Sequence, residues 1–378
     1  MTKNPLLALQ ELGQSVWLDS ISRRIIRDEL QPLMERDGLR GITSNPTIFE
    51  KAVAGSRDYD EIIRTLAAGG RDDAAIMEAL VIEDIQRTCD ALRPVYDRLH
   101  GQDGFVSIEV SPQLAYDAQA TLVEARRLWQ AVNRPNLLVK IPGTEPGLAA
   151  IETAIAEGIS VNITLLFAVA RYERVAEAYF RGLEHRLQAR QPIDRIHSVA
   201  SFFVSRLDTV VDQQLETKAQ QASDAKTRQH LESLYGQAAI ANAKMAYRAF
   251  KQLVGSARFL ALQTAGANVQ RVLWASTSTK NPRYRDVIYV EELIGTHTVN
   301  TMPAATLAAF RDHGRVRASL EDDVRGAEER LRQLQQLGID VPGLTRWLEE
   351  DGVKKFRDSM TALLREIACK RELVSHRA

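Results

Sequence analysis

The segment NLLVKI, Asn136–Ile141, is a short apolar run that carries a lysine near its end. Its length and its Leu and Val content predict a buried strand, because strands covered on both faces read as continuous apolar runs. A lysine is rare inside such a strand without a specific reason. Lys140 is therefore either a strand-end lysine that extends to solvent or a functional amine.

Seven further segments have the composition of short strands, and helical patterns fill the gaps between them. The eight predicted strands are Ser15–Asp19, Leu39–Ser44, Phe105–Val110, Asn136–Ile141, Ser160–Leu166, Ile196–Phe202, Arg271–Ala275 and Thr298–Met302. Eight strands alternating with helices predict an α/β protein with a (β/α)8 TIM barrel. A doubly wound open sheet is the alternative, but no GxGxxG follows the first strand, and polar residues end nearly all the strands.

The helices are predicted from apolar residues at helical spacing. They cover Ser22–Asp37, closed by Gly38, then Gln113–Val132 and Glu145–Glu157. Residues 46–104 and 205–270 each have room for more than one helix. From Arg315 onward the pattern predicts one or two extra helices that could pack across the barrel mouth. We expect a single domain over residues 1–378, with a barrel core at about 10–312 and a C-terminal helical extension at about 315–378.

Composition excludes several classes of protein. Lys plus Arg and Asp plus Glu both number 49, so no basic excess favours a general nucleic-acid binder. The only cysteines, Cys89 and Cys369, rule out a disulfide scaffold and fit a reducing compartment. We find neither a signal peptide nor an apolar run of about 18 residues. These features predict a cytoplasmic protein with no nucleic-acid or membrane partner. The sequence does not distinguish a monomer from a homodimer.

Five predicted strands have polar residues at their carboxyl ends. These residues are Asp19, Thr43, Ser44, Asn45, Glu109, Lys140, Asn162 and Thr164. A single polar strand end means little, because Asn and Ser often cap helices. Five together predict a polar cup at the carboxyl-terminal mouth, where barrel enzymes have their active sites.

The residue types in this cup limit the chemistry. The seven histidines are scattered, and no HExxH, CxxC, P-loop or GxSxG motif is present. We therefore expect no metal site. A lysine amine can attack a carbonyl and form a Schiff base, which is an electron sink for C–C cleavage. Asp19 and Glu109 would then transfer protons. Two alternatives remain: a glycosidase that uses Asp19 and Glu109 as its carboxylate pair, and a barrel that only binds its ligand.

Six motifs carry a family resemblance over most of residues 10–310. In chain order they are SVWLDSISR, GITSNPTIF, VSIEVSP, LLVKIPGT, SVNITLLF and SFFVSRLD. With them the sequence resembles transaldolase, a class I Schiff-base enzyme of the pentose phosphate pathway. The length and the form of the motifs are most similar to the larger bacterial subgroup.

The resemblance implies catalytic roles for four residues. Lys140 matches the Schiff-base lysine on the fourth strand. Asp19 matches the carboxylate that moves the proton of the substrate hydroxyl at C–C cleavage. Glu109 matches the acid/base that works through a bound water, assisted by Thr164.

The resemblance also implies substrate-binding roles. Asn45 and Asn162 match amides that hold substrate hydroxyls, with Thr43 close to Asn45. Ser201 matches a residue that contacts the dihydroxyacetone portion, and Arg206 matches a phosphate-binding arginine.

One position departs from the family pattern. Other members have a second phosphate-binding arginine after the seventh strand, two residues past a serine. Here Ser278 matches the serine and Lys280 stands at the arginine position. Lys280 is thus predicted to be the second phosphate ligand, the alternative being a solvated loop lysine.

The implied activity transfers a dihydroxyacetone unit from sedoheptulose 7-phosphate to glyceraldehyde 3-phosphate. The products are erythrose 4-phosphate and fructose 6-phosphate. Sugar phosphates would be the only small-molecule partners, and no cofactor is expected, because the imine itself accepts the electrons. The alternative within the same superfamily is an aldolase that releases free dihydroxyacetone.

Overall fold

Eight parallel strands close into a barrel in the order β1 to β8. The computed structural model describes residues 4–375. The strands are β1 (Gln14–Leu18), β2 (Gly41–Ile42), β3 (Phe105–Glu109), β4 (Leu137–Pro142), β5 (Val161–Leu166), β6 (Ser198–Phe203), β7 (Arg271–Ala275) and β8 (Thr298–Met302). Each overlaps a predicted strand, and the (β/α)8 barrel prediction is confirmed.

Helices connect and surround these strands. They are α1 (Pro5–Glu11), α2 (Leu30–Arg36), α3 (Pro46–Ala54), α4 (Asp60–Ala68), α5 (Asp73–Arg98), α6 (Ala118–Val132), α7 (Gly147–Ala156), α8 (Val169–Gln188), α9 (Ser205–Gln221), α10 (Ala225–Glu232), α11 (Ala238–Val254), α12 (Ala257–Thr264), α13 (Ile288–Glu291), α14 (Ala304–His313), α15 (Val324–Gln336) and α16 (Val341–Ser375). The stretches predicted to hold more than one helix contain three (α3–α5) and four (α9–α12). The predicted C-terminal extension contains α15 and α16; residues 1–3 and 376–378 of the predicted domain lie outside the described part.

The second strand is much shorter than its prediction. Only Gly41 and Ile42 form β2, whereas the sequence predicted a strand over Leu39–Ser44. A Cβ on Gly41 would lie 2.5 Å from the Trp17 ring, so the absence of a side chain is what lets β2 pack against β1 here. Thr43 and Ser44 consequently lie in the loop that follows β2.

Two helices differ from the sequence prediction in their first turns. The helix predicted over Gln113–Val132 is divided into a 3₁₀ turn, Pro112–Leu114, and α6. Asp117 causes the interruption, because its side chain accepts a hydrogen bond from the Ala120 backbone N–H (2.9 Å) and starts a new helix. The helix predicted from Ser22 has a π-helical segment, Ile25–Glu29, before α2.

The long C-terminal helix α16 crosses the mouth at the carboxyl ends of the strands. It has 35 residues and packs against α3, α4, α5 and α9 as well as β5. Polar contacts hold it in place: Ser359 bonds Thr47 (2.7 Å), and Lys370 donates to Asp60 (2.8 Å). The prediction that the extra helices pack across the mouth is confirmed for α16.

Across residues 4–375 no helix is both long enough and apolar enough to cross a bilayer.

Candidate active site

A cavity of about 380 Å³ opens at the carboxyl ends of the strands, under α16. Its volume falls within the range of small-molecule sites. Nine residues predicted from the sequence line it: Asp19, Thr43, Asn45, Lys140, Thr164, Ser201, Arg206, Ser278 and Lys280. The remaining two, Glu109 and Asn162, contact this lining directly: Glu109 lies beside Lys140, and Asn162 bonds Ser201. The structure thus brings all eleven predicted site residues together.

Lys140 lies on β4 with its amine in the cavity wall. Its side chain is only 5% exposed, so it does not extend to solvent as the alternative interpretation required. Nζ donates a hydrogen bond to the Ser44 carbonyl oxygen (3.2 Å) and stands 3.4 Å from Glu109 Oε2. On another side, Nζ lies 5.8 Å from the centre of the Phe356 ring. The amine is thereby positioned by a carbonyl, a carboxylate and an aromatic ring.

Glu109 is the buried partner of Lys140. The strand register of β3 and β4 places the two residues side by side, and the Glu109 side chain is 3% exposed. Burial raises the pKa of Glu109 to about 7, while the charge of Lys140 opposes this shift and that of Asp19 adds to it. Neither carboxylate oxygen has a hydrogen-bond partner within residues 4–375. A carboxyl group of this kind can donate or accept a proton near neutral pH.

Asp19 follows β1, which is three strands away from β4. Its backbone N–H donates to the Met302 carbonyl oxygen (2.8 Å), and this bond continues the ladder with β8. Thr43 donates a hydrogen bond to Asp19 Oδ1 (2.8 Å) and also bonds Thr301 (2.9 Å). The Thr43 hydroxyl, itself held by Thr301, therefore orients this carboxylate at the cavity wall, separately from Glu109.

Hydroxyl and amide groups on β3, β5 and β6 form a hydrogen-bonded chain through the barrel. Ser201 donates to Asn162 Oδ1 (2.7 Å), and the Asn162 amide donates to Ser107 Oγ (3.0 Å). These bonds fix the Asn162 side chain, since both of its polar atoms have partners.

Thr164 lies within an irregular part of β5. The β5–β6 register shifts between Ile163 and Leu166, and Leu165 has a φ of +61°, a conformation that leucine rarely adopts. Bulges of this kind redirect side chains and are common next to active sites. The buried Thr164 hydroxyl has no hydrogen-bond partner among the described residues, which leaves it free for a ligand.

Asn45 has a structural role in addition to lining the cavity. It precedes α3, and its Oδ1 accepts a hydrogen bond from the Ile48 backbone N–H (3.0 Å). Because this bond caps the helix, it also fixes the orientation of the Asn45 amide group.

One part of the cavity wall carries cations. Arg206 lies in the first turn of α9, with its guanidinium 5.1 Å from the centre of the Phe203 ring. Burial lowers the pKa of Arg206, and its Nη1 is a buried donor without a partner in the described chain. Lys280 donates to Ser278 Oγ (2.7 Å), and its pKa is lowered by burial and then by the charge of Arg206. A buried, unpaired guanidinium beside a second cation is suited to bind an anionic group.

Sequence reasoning missed several residues that line this cavity, among them Lys51, Thr301 and Phe356. The segment TVNTM contained a signal for Thr301, because Thr301 is a polar residue next to the carboxyl end of a predicted strand. Lys51 follows the GITSNPTIF motif directly but looks like an ordinary helix-surface lysine. Phe356 has no local signal, since only the packing of α16 brings it to the barrel.

No group of three or more His, Cys, Asp or Glu side chains in the described range could hold a metal ion.

Comparison with known proteins identifies the family. The family model described as "Transaldolase/Fructose-6-phosphate aldolase" matches residues 16–367. Transaldolase 2 of Nostoc punctiforme is 46% identical over 99% of this chain and 100% of its own length. The transaldolase of Acidothermus cellulolyticus is 47% identical over 95% of both chains, and that of Mycolicibacterium smegmatis is 45% identical over 96% of this chain and 97% of its own. The chain therefore belongs to the transaldolase/fructose-6-phosphate aldolase family.

Proposed function

We propose that this protein is a transaldolase of the non-oxidative pentose phosphate pathway. It would move a dihydroxyacetone unit from sedoheptulose 7-phosphate to glyceraldehyde 3-phosphate, giving erythrose 4-phosphate and fructose 6-phosphate. The observation that carries this proposal is the buried amine of Lys140, 3.4 Å from the carboxylate of Glu109, in a cavity that also contains the unpaired Nη1 of Arg206. A glycosidase would leave this amine without a role.

Covalent catalysis begins at Lys140. Its neutral amine attacks the C2 carbonyl of the ketose to form a carbinolamine. Glu109 gives a proton to the departing hydroxyl, water leaves, and an iminium remains on Nζ. Thr164, whose hydroxyl is unpaired, would assist at the same position.

Bond cleavage uses the second carboxylate. Asp19 takes the proton of the C4 hydroxyl, and the C3–C4 bond breaks as its electron pair moves to the iminium. The aldehyde product leaves, and an enamine of dihydroxyacetone stays on Lys140. The enamine then attacks the next aldehyde while Asp19 returns its proton. The reverse of imine formation releases the new ketose phosphate.

Substrate hydroxyls and phosphate would be held by the remaining residues of the cavity. Asn45, Asn162 and Ser201 would bind hydroxyls near the reacting carbons, with Thr43 holding Asp19. The terminal phosphate would be bound by a second set of residues, namely Arg206, Lys280 and Ser278.

The same proposal covers the organisation of the chain. The barrel and α16 would act as one catalytic domain, because α16 contributes to the wall of the cavity. A cytoplasmic monomer or homodimer without a nucleic-acid partner fits an enzyme of central sugar metabolism.

Borohydride trapping tests the proposed function directly. Reduction in the presence of fructose 6-phosphate should add one dihydroxyacetone unit to the intact mass of the protein. An unchanged mass would contradict the Schiff-base mechanism. The aldolase alternative shares this adduct, and it is distinguished by release of free dihydroxyacetone in the presence of an acceptor aldehyde.

Arg206→Ala should raise KM for phosphorylated substrates by roughly ten- to one-hundredfold, because a charge-assisted hydrogen bond to phosphate is lost. KM for free dihydroxyacetone as the donor should change little, because this donor has no phosphate. Arg206→Lys, which keeps the charge but loses the fork of donors, should lie in between. Steady-state kinetics with both donors measure the difference; equal losses for the two would indicate that Arg206 only supports α9.

The rate of imine formation should depend on the protonation of Glu109. With a pKa near 7, Glu109 is protonated below neutrality and can deliver a proton to the departing water. The trapping rate should therefore fall as the pH rises through about 7. Glu109→Gln should be slow and should lack this alkaline limb. Single-turnover trapping on both sides of neutrality measures it, and an identical limb in the variant would assign the pKa to another group.

A further inference from the structure

Phe356 is an aromatic residue beside the reactive amine that no sequence motif revealed. It lies on α16 with 3% of its surface exposed, lines the cavity, and has its ring centre 5.8 Å from Lys140 Nζ. The ring therefore covers one side of the nitrogen on which an imine would form.

The helix that carries Phe356 is held closely against the barrel. The next residue, Arg357, donates hydrogen bonds to the carbonyl oxygens of Pro112 and Gln113 (3.1 and 3.3 Å), just beyond β3, which carries Glu109. One turn before Phe356, Gly352 lies against the bulged Leu165: a Cβ there would be 2.8 Å from Leu165 Cδ2. Contacts made by α16 residues before and after Phe356 thus fix the distance of its ring from Lys140.

An aromatic face above a cationic nitrogen has two physical effects. The ring attracts the cation, and the attraction is stronger where water is excluded from both. It also fills with carbon part of the space from which water would otherwise reach and protonate the enamine carbon. Both effects concern the intermediate on Lys140 rather than the phosphate end of the cavity.

We propose that Phe356 determines how the enamine on Lys140 is partitioned between transfer to an aldehyde and hydrolysis. This inference rests on the proposed function, since it requires the Schiff base. Hydrolysis takes place in two steps: the enamine carbon takes a proton to give the iminium of dihydroxyacetone, and water then adds at C2. Collapse of the carbinolamine releases dihydroxyacetone, the lysine amine and a proton. The net reaction splits fructose 6-phosphate into dihydroxyacetone and glyceraldehyde 3-phosphate, with no oxidant or reductant. Transfer also needs water to add at C2 when the new ketose is released, so the step that hydrolysis alone requires is protonation of the enamine carbon. The covering ring keeps water from this carbon and leaves the aldehyde as the partner of the enamine.

The test is the ratio of released dihydroxyacetone to transferred dihydroxyacetone, measured in one reaction with fructose 6-phosphate and erythrose 4-phosphate. Because both products come from the same enzyme, the ratio does not depend on the fraction that is folded. Phe356→Leu and Phe356→Met keep an apolar side chain but remove the aromatic face, and each should raise the ratio roughly tenfold. The matched control is Leu348→Ala, a buried position on the same helix that does not line the cavity; its ratio should equal that of the wild type.

Three outcomes would overturn the proposal: an unchanged ratio in the soluble Phe356 variants, an equal rise in Leu348→Ala, or a fall in the ratio. Borohydride trapping on the same variants separates this inference from the proposed function. An adduct with an unchanged ratio rejects only the role of Phe356, whereas the absence of an adduct in the wild type rejects the Schiff base itself.

Discussion

Replacing Lys140 with methionine should abolish the borohydride-reducible adduct and lower turnover by at least about 10⁴-fold, the scale of losing a covalent nucleophile. Methionine keeps a long apolar side chain in the wall of the cavity, so the barrel should still fold. The amine has no substitute in place, because the other lysines of the cavity, Lys51 and Lys280, are on α3 and on the loop after β7. Intact mass after reduction and the steady-state rate are the two measurements.

Lys280→Met provides the matched control for this experiment. It removes a lysine from the same cavity and should leave a stoichiometric adduct on Lys140, with weaker binding of phosphorylated substrates. A stoichiometric adduct on Lys140→Met, or one that peptide mapping assigns to Lys51 or Lys280, would show that the nucleophile has been assigned wrongly.

Most of the barrel could be predicted because its signals are local. A buried strand such as β4 is a short apolar run, and counting the runs that alternate with helical patterns gives eight strands. The differences arise where side chains far apart in the sequence meet. Gly41 packs against the Trp17 ring, which the composition of Leu39–Ser44 does not reveal. The break before α6 was in principle readable, since Asp117 is a favoured capping residue.

The strand-end residues of the candidate site were predictable for a geometric reason, whereas Ser201, Arg206, Ser278 and Lys280 were assigned by the family resemblance. Parallel strands in a barrel all end on the same side, so polar residues at strand ends converge without any knowledge of the loops. The side-by-side position of Glu109 and Lys140 depends on the β3–β4 register, which no single strand specifies. Phe356 could not be found at all, because it reaches the cavity from the far end of the chain on α16.

The two carboxylates should have different effects when each is replaced by its amide. Glu109 lies on the strand next to Lys140, 3.4 Å from its amine, whereas Asp19 follows the end of β1 and is oriented by Thr43. Proximity to the amine favours a role for Glu109 in losing and regaining water at the imine. The position of Asp19 favours a role at the substrate hydroxyl during bond cleavage.

Asp19→Asn should therefore form the trapped adduct with fructose 6-phosphate at a rate close to that of the wild type, yet turn over at least about 10²-fold more slowly, the lower range for a general acid or base. Glu109→Gln should already be slow in forming the adduct. Asparagine and glutamine keep the shape of each side chain while removing its ability to exchange a proton, so the comparison isolates proton transfer from packing. The measurement is single-turnover trapping quenched at successive times, together with the steady-state rate of each variant. If Asp19→Asn forms the adduct as slowly as Glu109→Gln, Asp19 acts before cleavage. If it keeps near-normal turnover, another group takes the hydroxyl proton. Either result would contradict the separate roles assigned to Asp19 and Glu109.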